Sequence, residues 1–153
     1  MNAQSAANRQ DNASSALPGV VRFFEQLKPE DLLRLGEVYA PDARFKDPFN
    51  EVQGLPAIEA IFAHMFRALT SPHFVVTSQM AQGDQAFLVW DFRFQFKGQS
   101  TWQTIRGATQ VRFDDQGLVT LHRDYWDAAE ELYEKLPVLG GLMRWLKRRA
   151  AQG

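Results

Sequence analysis

Two short segments gather the groups that could move a proton. In Arg44-Phe45-Lys46-Asp47-Pro48 a carboxylate ends a strand that the proline stops, and in Leu121-His122-Arg123-Asp124-Tyr125-Trp126-Asp127 an imidazole and a second carboxylate stand two residues apart. Alternation puts Phe45 and Asp47 on one face of the first strand, with Arg44 and Lys46 on the other. Pro48 holds the residue before it extended, so local chemistry sets the direction of Asp47. Its carboxylate has two readings: a general base beside an aromatic ring, or the capping side chain of an Asx turn. On the second strand His122, Asp124 and Trp126 share a face, with neighbours ~6.6 Å apart along the strand. Facing water, His122 and Asp124 are a solvated pair of small consequence. Facing an aromatic interior, they form an acid/base pair within one pocket.

Other chemistries are argued against by what is missing. With no cysteine and three histidines, disulfides, thiolate sites and a His-rich metal centre are not expected. No His-Glu-x-x-His, phosphate-cradling glycine loop, Gly-x-Ser-x-Gly or dinucleotide fingerprint occurs, so the expectation is chemistry without cofactor or metal. A net charge of −1 supplies no basic field for nucleic acid. There is no basic start followed by an apolar run and no stretch long enough to cross a bilayer, so a cytoplasmic location is expected.

These groups need a scaffold, and 153 residues with 45% hydrophobic content suffice for one domain with a real core. Residues 1–16 are rich in Asn, Gln, Ser and Ala and read as a disordered tail. Helical spacing of Leu17, Val20, Val21, Phe24 and Leu27 predicts a first helix. Leu32, Leu33, Leu35, Val38 and Tyr39 predict a second, closed by Ala40-Pro41-Asp42. A third carries Ile58, Ile61, Phe62, Met65, Phe66 and Leu69 as one wide stripe, with His64 off it in solvent. After Ser71-Pro72 the period becomes two. Strands are predicted over 73–80, through Leu88, Trp90, Phe92, Phe94 and Phe96 with polar residues between, over 101–113, and over 118–126. The domain therefore spans 17–127 and is α+β, with helices on one face of a curved meander. A C-terminal helical extension occupies 128–153, broken at Pro137. Its segment 138–149 is basic and aromatic, and either packs on protein or touches an anionic membrane surface as a peripheral contact.

This order of elements resembles the nuclear transport factor 2-like superfamily, whose members include ketosteroid isomerase and the SnoaL-like polyketide cyclases. Tyr39-Ala40-Pro41-Asp42-Ala43-Arg44-Phe45-Lys46-Asp47-Pro48 is similar to the isomerase segment that ends in its catalytic Asp-Pro. The resemblance implies a cone-shaped fold, a homodimer, Asp47 as general base, and a pocket faced by His122, Asp124 and Trp126. Two ionisable groups converging there lead to the expectation that His122, oriented by Asp124, protonates the substrate or donates a hydrogen bond to it. The resemblance also implies an apolar substrate among Phe23, Phe45, Phe62, Trp90, Phe92, Thr109 and Trp126. Phe23 and Thr109 stand where the isomerase has its Tyr and protonated Asp donors, which argues against that enzyme's own reaction. The expected activity is a cofactor-independent isomerase, dehydratase or cyclase. The alternative is a non-catalytic module that binds a ligand, a protein or a lipid surface.

Overall fold

The computed structural model describes residues 12–132, 148, 150 and 151. Its helices are α1 (Asn12–Glu25), a 3-10 helix (Pro29–Glu37), α2 (Leu55–Ala68) and α3 (Ala128–Glu131). Its strands are β1 (Tyr39–Lys46), β2 (Glu51–Gln53), β3 (Leu69–Gln82), β4 (Gln85–Phe96), β5 (Trp102–Phe113) and β6 (Val119–Tyr125). The strands form one six-stranded sheet in the order β2-β1-β6-β5-β4-β3, in which β1 and β6 alone run parallel. The sheet curves around α1 and α2, so the fold is the cone-shaped α+β arrangement of the nuclear transport factor 2-like superfamily.

The core lies between the helices and the inward side chains of the sheet. On β4, Ala86, Leu88, Trp90, Phe92 and Phe94 are buried while Phe87, Val89 and Arg93 are exposed, the alternation expected of a strand with one wet face. Phe74 stacks on Phe92 at 4.7 Å and meets Trp90 edge-on at 5.5 Å. From α2, Ile58 and Phe62 complete the apolar filling.

Several boundaries differ from those the pattern predicted. Helix α1 begins at Asn12, not Leu17, because Ala13 is small enough to bury fully against the β3–β4 turn, donating to the Gly83 carbonyl at 3.3 Å. Asn12 Nδ2 also reaches the Asp114 carbonyl at 3.3 Å. The second helix is 3-10 in form. Leu32, Leu35 and Val38, three residues apart, are therefore buried, while Leu33 is 88% exposed. Tyr39 leaves that helix and opens β1. Ser71-Pro72, expected to precede a strand, lies inside β3 at a register shift, with Ser71 at φ 53°. Segment 48–54 contains β2, paired antiparallel to the end of β1. At the C-terminus, Asp127 caps α3 by accepting from Ala129 N at 3.0 Å and Glu130 N at 3.1 Å. Residues 1–11 of the expected tail and, apart from Arg148, the segment 138–149 lie outside the described residues.

Candidate functional site

β6 contributes the centre of the site. His122 and Asp124 point inward, as the two-residue period requires, and β5 and β1 flank them. The carboxylate of Asp124 is held on one side only. Its Oδ1 accepts from Thr109 Oγ1 at 2.6 Å and from His122 Nε2 at 2.8 Å. Behind each donor stands another: Trp90 Nε1 donates to Thr109 Oγ1 at 2.7 Å, and the Tyr39 hydroxyl lies 2.6 Å from His122 Nδ1.

The directions of these bonds follow from the inventory of donors. An indole can only donate, so Thr109 must turn its own hydrogen toward Asp124. A neutral imidazole carrying its hydrogen on Nε2 satisfies the other arm, with the phenol donating to Nδ1. Tyr39 is fully buried, and burial, with the charge of Asp124 second, pushes its hydroxyl well above the ordinary tyrosine range. It stays a donor. Phe45 at 4.6 Å and Phe24 at 5.6 Å between ring centroids fix the imidazole from its other sides.

Asp124 Oδ2 differs from Oδ1. It accepts no hydrogen bond from the described residues, among which every buried side-chain nitrogen or oxygen has a partner, so this oxygen is accessible. The residue stands between two spaces. Inward is a cavity of about 30 Å³ lined by Phe24, Phe62, Phe74, Trp90 and Thr109 among others, room for one or two waters. Outward is a cleft of about 490 Å³ at the ends of β1 and β6, walled by Asp47, Pro48, Asp124 and Trp126.

Asp47 shares that cleft, but its carboxylate is occupied. Oδ1 accepts from Phe49 N and Asn50 N, each at 2.7 Å, and Asn50 Nδ2 reaches both oxygens at 3.1 Å. The backbone closes the same turn, Asp47 N donating to the Asn50 carbonyl at 2.9 Å. This is the Asx turn of the two sequence readings.

Among the other expected residues, Phe45, Phe62, Trp90 and Thr109 surround the His122–Asp124 pair, and Phe92 backs them through its stack on Phe74. Trp126 is partly buried at the outer cleft, edge-on to Phe49 at 5.5 Å. Phe23 is elsewhere. It lies in an open groove of about 800 Å³ between α1 and the 3-10 helix, among solvated charges of both signs, and Phe24 takes the interior place. The α1 stripe already favoured Phe24, which is seven residues after Leu17, whereas Phe23 falls off the stripe. Tyr39, Phe74 and Val76 are the residues that sequence reasoning missed. For Tyr39 no two-residue count was available, because β1 shifts register between Tyr39 and Arg44 and Pro41, on that count, is exposed. No three His, Asp or Glu side chains among the described residues converge as a metal site.

Comparison with known proteins agrees with this frame. Residues 20–122 match the SnoaL-like domain, and no curated protein sequence matches. A protein of ketosteroid isomerase-like fold from Catenulispora acidiphila, solved with trimethylamine, superposes with a TM-score of 0.65 at 19% identity, over 76% of this chain and 88% of that one. An LEH-like epoxide hydrolase of Mycobacterium tuberculosis gives 0.64 at 16% identity, over 94% and 98%. A Jannaschia protein named as a SnoaL-like polyketide cyclase gives 0.65 at 18% identity, over 80% and 90%. At these identities the structural likeness is one of fold.

Proposed function

The chain belongs to the SnoaL-like domain family, and from that premise we propose that its cleft binds an apolar small molecule from which Asp124 takes a proton without a cofactor. One observation carries this reading. Asp124 has one oxygen fixed by two donors and the other open, at the boundary between an aromatic interior and the cleft. Two bonds to one oxygen set the plane of the carboxylate, and such positioning is what a general base needs. The structural neighbours named as a polyketide cyclase and an epoxide hydrolase support small-molecule chemistry on this fold, by analogy alone.

The donors on the inner side of the base are all used. Thr109, His122 and Tyr39 each direct their hydrogen along the chain that ends at Asp124, which leaves none of the three for an oxyanion on the substrate. The reaction therefore suits a substrate that spreads its own developing charge or expels a leaving group, as in cyclisation, elimination or a conjugated isomerisation. His122 is then a positioning group for Asp124, and Asp47 shapes the cleft wall.

The planar carbon acid 5-nitrobenzisoxazole, which opens when one base removes its ring proton, tests the assignment. Asp124→Asn should lower its turnover by about a hundredfold or more. Asp47→Asn, which retains an Asx-turn acceptor, should stay within about twofold. The opposite ranking would move the base to Asp47. Binding without turnover in the unmodified protein would favour a ligand-holding module, the reading to which the small inner cavity lends weight.

A further inference from the structure

The cleft that holds Asp124 does not end at the inner face of the sheet. β1 and β6 stay paired as far as Lys46 and Arg123, after which the chain turns away at Pro48 while β6 continues to Tyr125. The gap so left opens on both faces, since its walls include inward Asp124 and Trp126 together with outward Lys46, Arg123 and Tyr125. On the outer face a hollow of about 420 Å³ begins at the same Lys46 and Arg123 and runs over Arg44, Gln53 and Gln110. The two spaces share those two cations.

Register shows how closely the outer cations are gathered. Arg44 of β1 and Arg112 of β5 flank Leu121 of β6, and one step along, Lys46 and Gln110 flank Arg123. Two carboxylates stand near them: Glu51, at 3.4 Å from Lys46, and Asp127 at the edge of the gap, whose Oδ1 is engaged in capping α3. Arg44, Arg112 and Arg123 form no ion pair among the described residues. The Arg123 guanidinium instead rests over the Tyr125 ring, 4.7 Å from its centroid. Like charges on neighbouring strands repel, so such a cluster costs stability unless something of opposite sign joins it. Guanidinium forks and side-chain amides are suited to an oxyanion.

We propose that the ligand of the Asp124 site has two chemically distinct ends: an apolar part lying against Trp126 and the base, and an oxyanion, phosphate or carboxylate, that reaches through the gap to Lys46 and Arg123. This rests on the function proposed above and adds the substrate class. The apolar end meets the reacting carboxylate while the anionic end stays solvated on the outer face. The cations thus hold the substrate away from Asp124 in charge and near it in space.

Calorimetric titration with 2-naphthol, 2-naphthyl phosphate, 2-naphthoate and inorganic phosphate tests this. Both naphthyl oxyanions should bind about tenfold tighter than 2-naphthol, the gain expected of one charge-assisted contact. The advantage should disappear in the double variant Lys46→Gln/Arg123→Gln and survive in Arg34→Gln, whose site is on the 3-10 helix. Equal binding of 2-naphthol and the oxyanions, or an advantage that outlasts the double variant, overturns the anionic handle alone. Inorganic phosphate binding as tightly as naphthyl phosphate would detach the basic patch from the cleft and overturn it too. If no naphthyl compound binds, the small-molecule reading of the site falls with it.

Discussion

A carboxylate engaged by donors on both oxygens gives up part of their stabilisation when it takes a proton, and one with a bare oxygen gives up less. Asp47 is in the first position, and Asp124, with Oδ2 open, is in the second. The sequence presented both as acids at the ends of neighbouring strands, and the difference lies in which donors are aimed at them. For Asp47 the donors come from residues two and three further on, so the turn was legible. For Asp124 the second arm comes from Tyr39, 83 residues away from His122, which no local pattern could reveal. Removing that arm has two measurable effects. Tyr39→Phe leaves His122 Nδ1 without its donor inside the core and should cost about 1–3 kcal/mol in chemical denaturation. It should also alter the alkaline limb. The folded state holds the phenolic proton above the pH at which the unfolded chain, near the ordinary value of 10.0, gives it up. Stability from this group is thus complete below that pH and falls as pH rises beyond it, by about 1.4 kcal/mol per unit. Tyr39→Phe should remove that part of the slope.

At the level of elements, the β4–β5 pair positions one arm of the site through an absent side chain. Trp90 is directly opposite Gly107, and its indole crosses that residue to reach Thr109. A Cβ on Gly107 would lie 2.4 Å from Cη2 of the indole. Gly107→Ala should therefore displace the ring, cost about 1–3 kcal/mol by overpacking and change the tryptophan fluorescence as the bond to Thr109 is lost. A stability equal to the unmodified protein, with unchanged emission, would show that the indole has another seat. β4 was the most legible element because its aromatic alternation is long and uninterrupted. The second helix was less so. Apolar residues spaced three apart fit both a 3-10 and an α-helix, and only the exposure of Leu33 separates them. β1 was cut short because Ala40-Pro41-Asp42 reads as a helix end, whereas here it carries the strand past a register shift.

For the whole molecule, family resemblance and the change of period after Ser71-Pro72 foretold a cone of helices on a curved sheet. They did not foretell how full the cone is. Side-chain volumes are visible in a sequence, but their fit is not, and Phe24, Phe62, Phe74 and Trp90 together leave about 30 Å³. The usable space is instead at the strand ends, where the parallel pair β1 and β6 diverges. Under the proposed function such a site would receive its ligand from outside the core, and its chemistry would depend on one oxygen. A crystal structure with 6-nitrobenzotriazole, the unreactive counterpart of the benzisoxazole probe, measures this directly. The account predicts its ring N–H within about 2.6–3.2 Å of Asp124 Oδ2, with the ring system against Trp126. The ring N–H bonded to Asp47 instead, or the molecule seated in the charged groove beside Phe23, would contradict it.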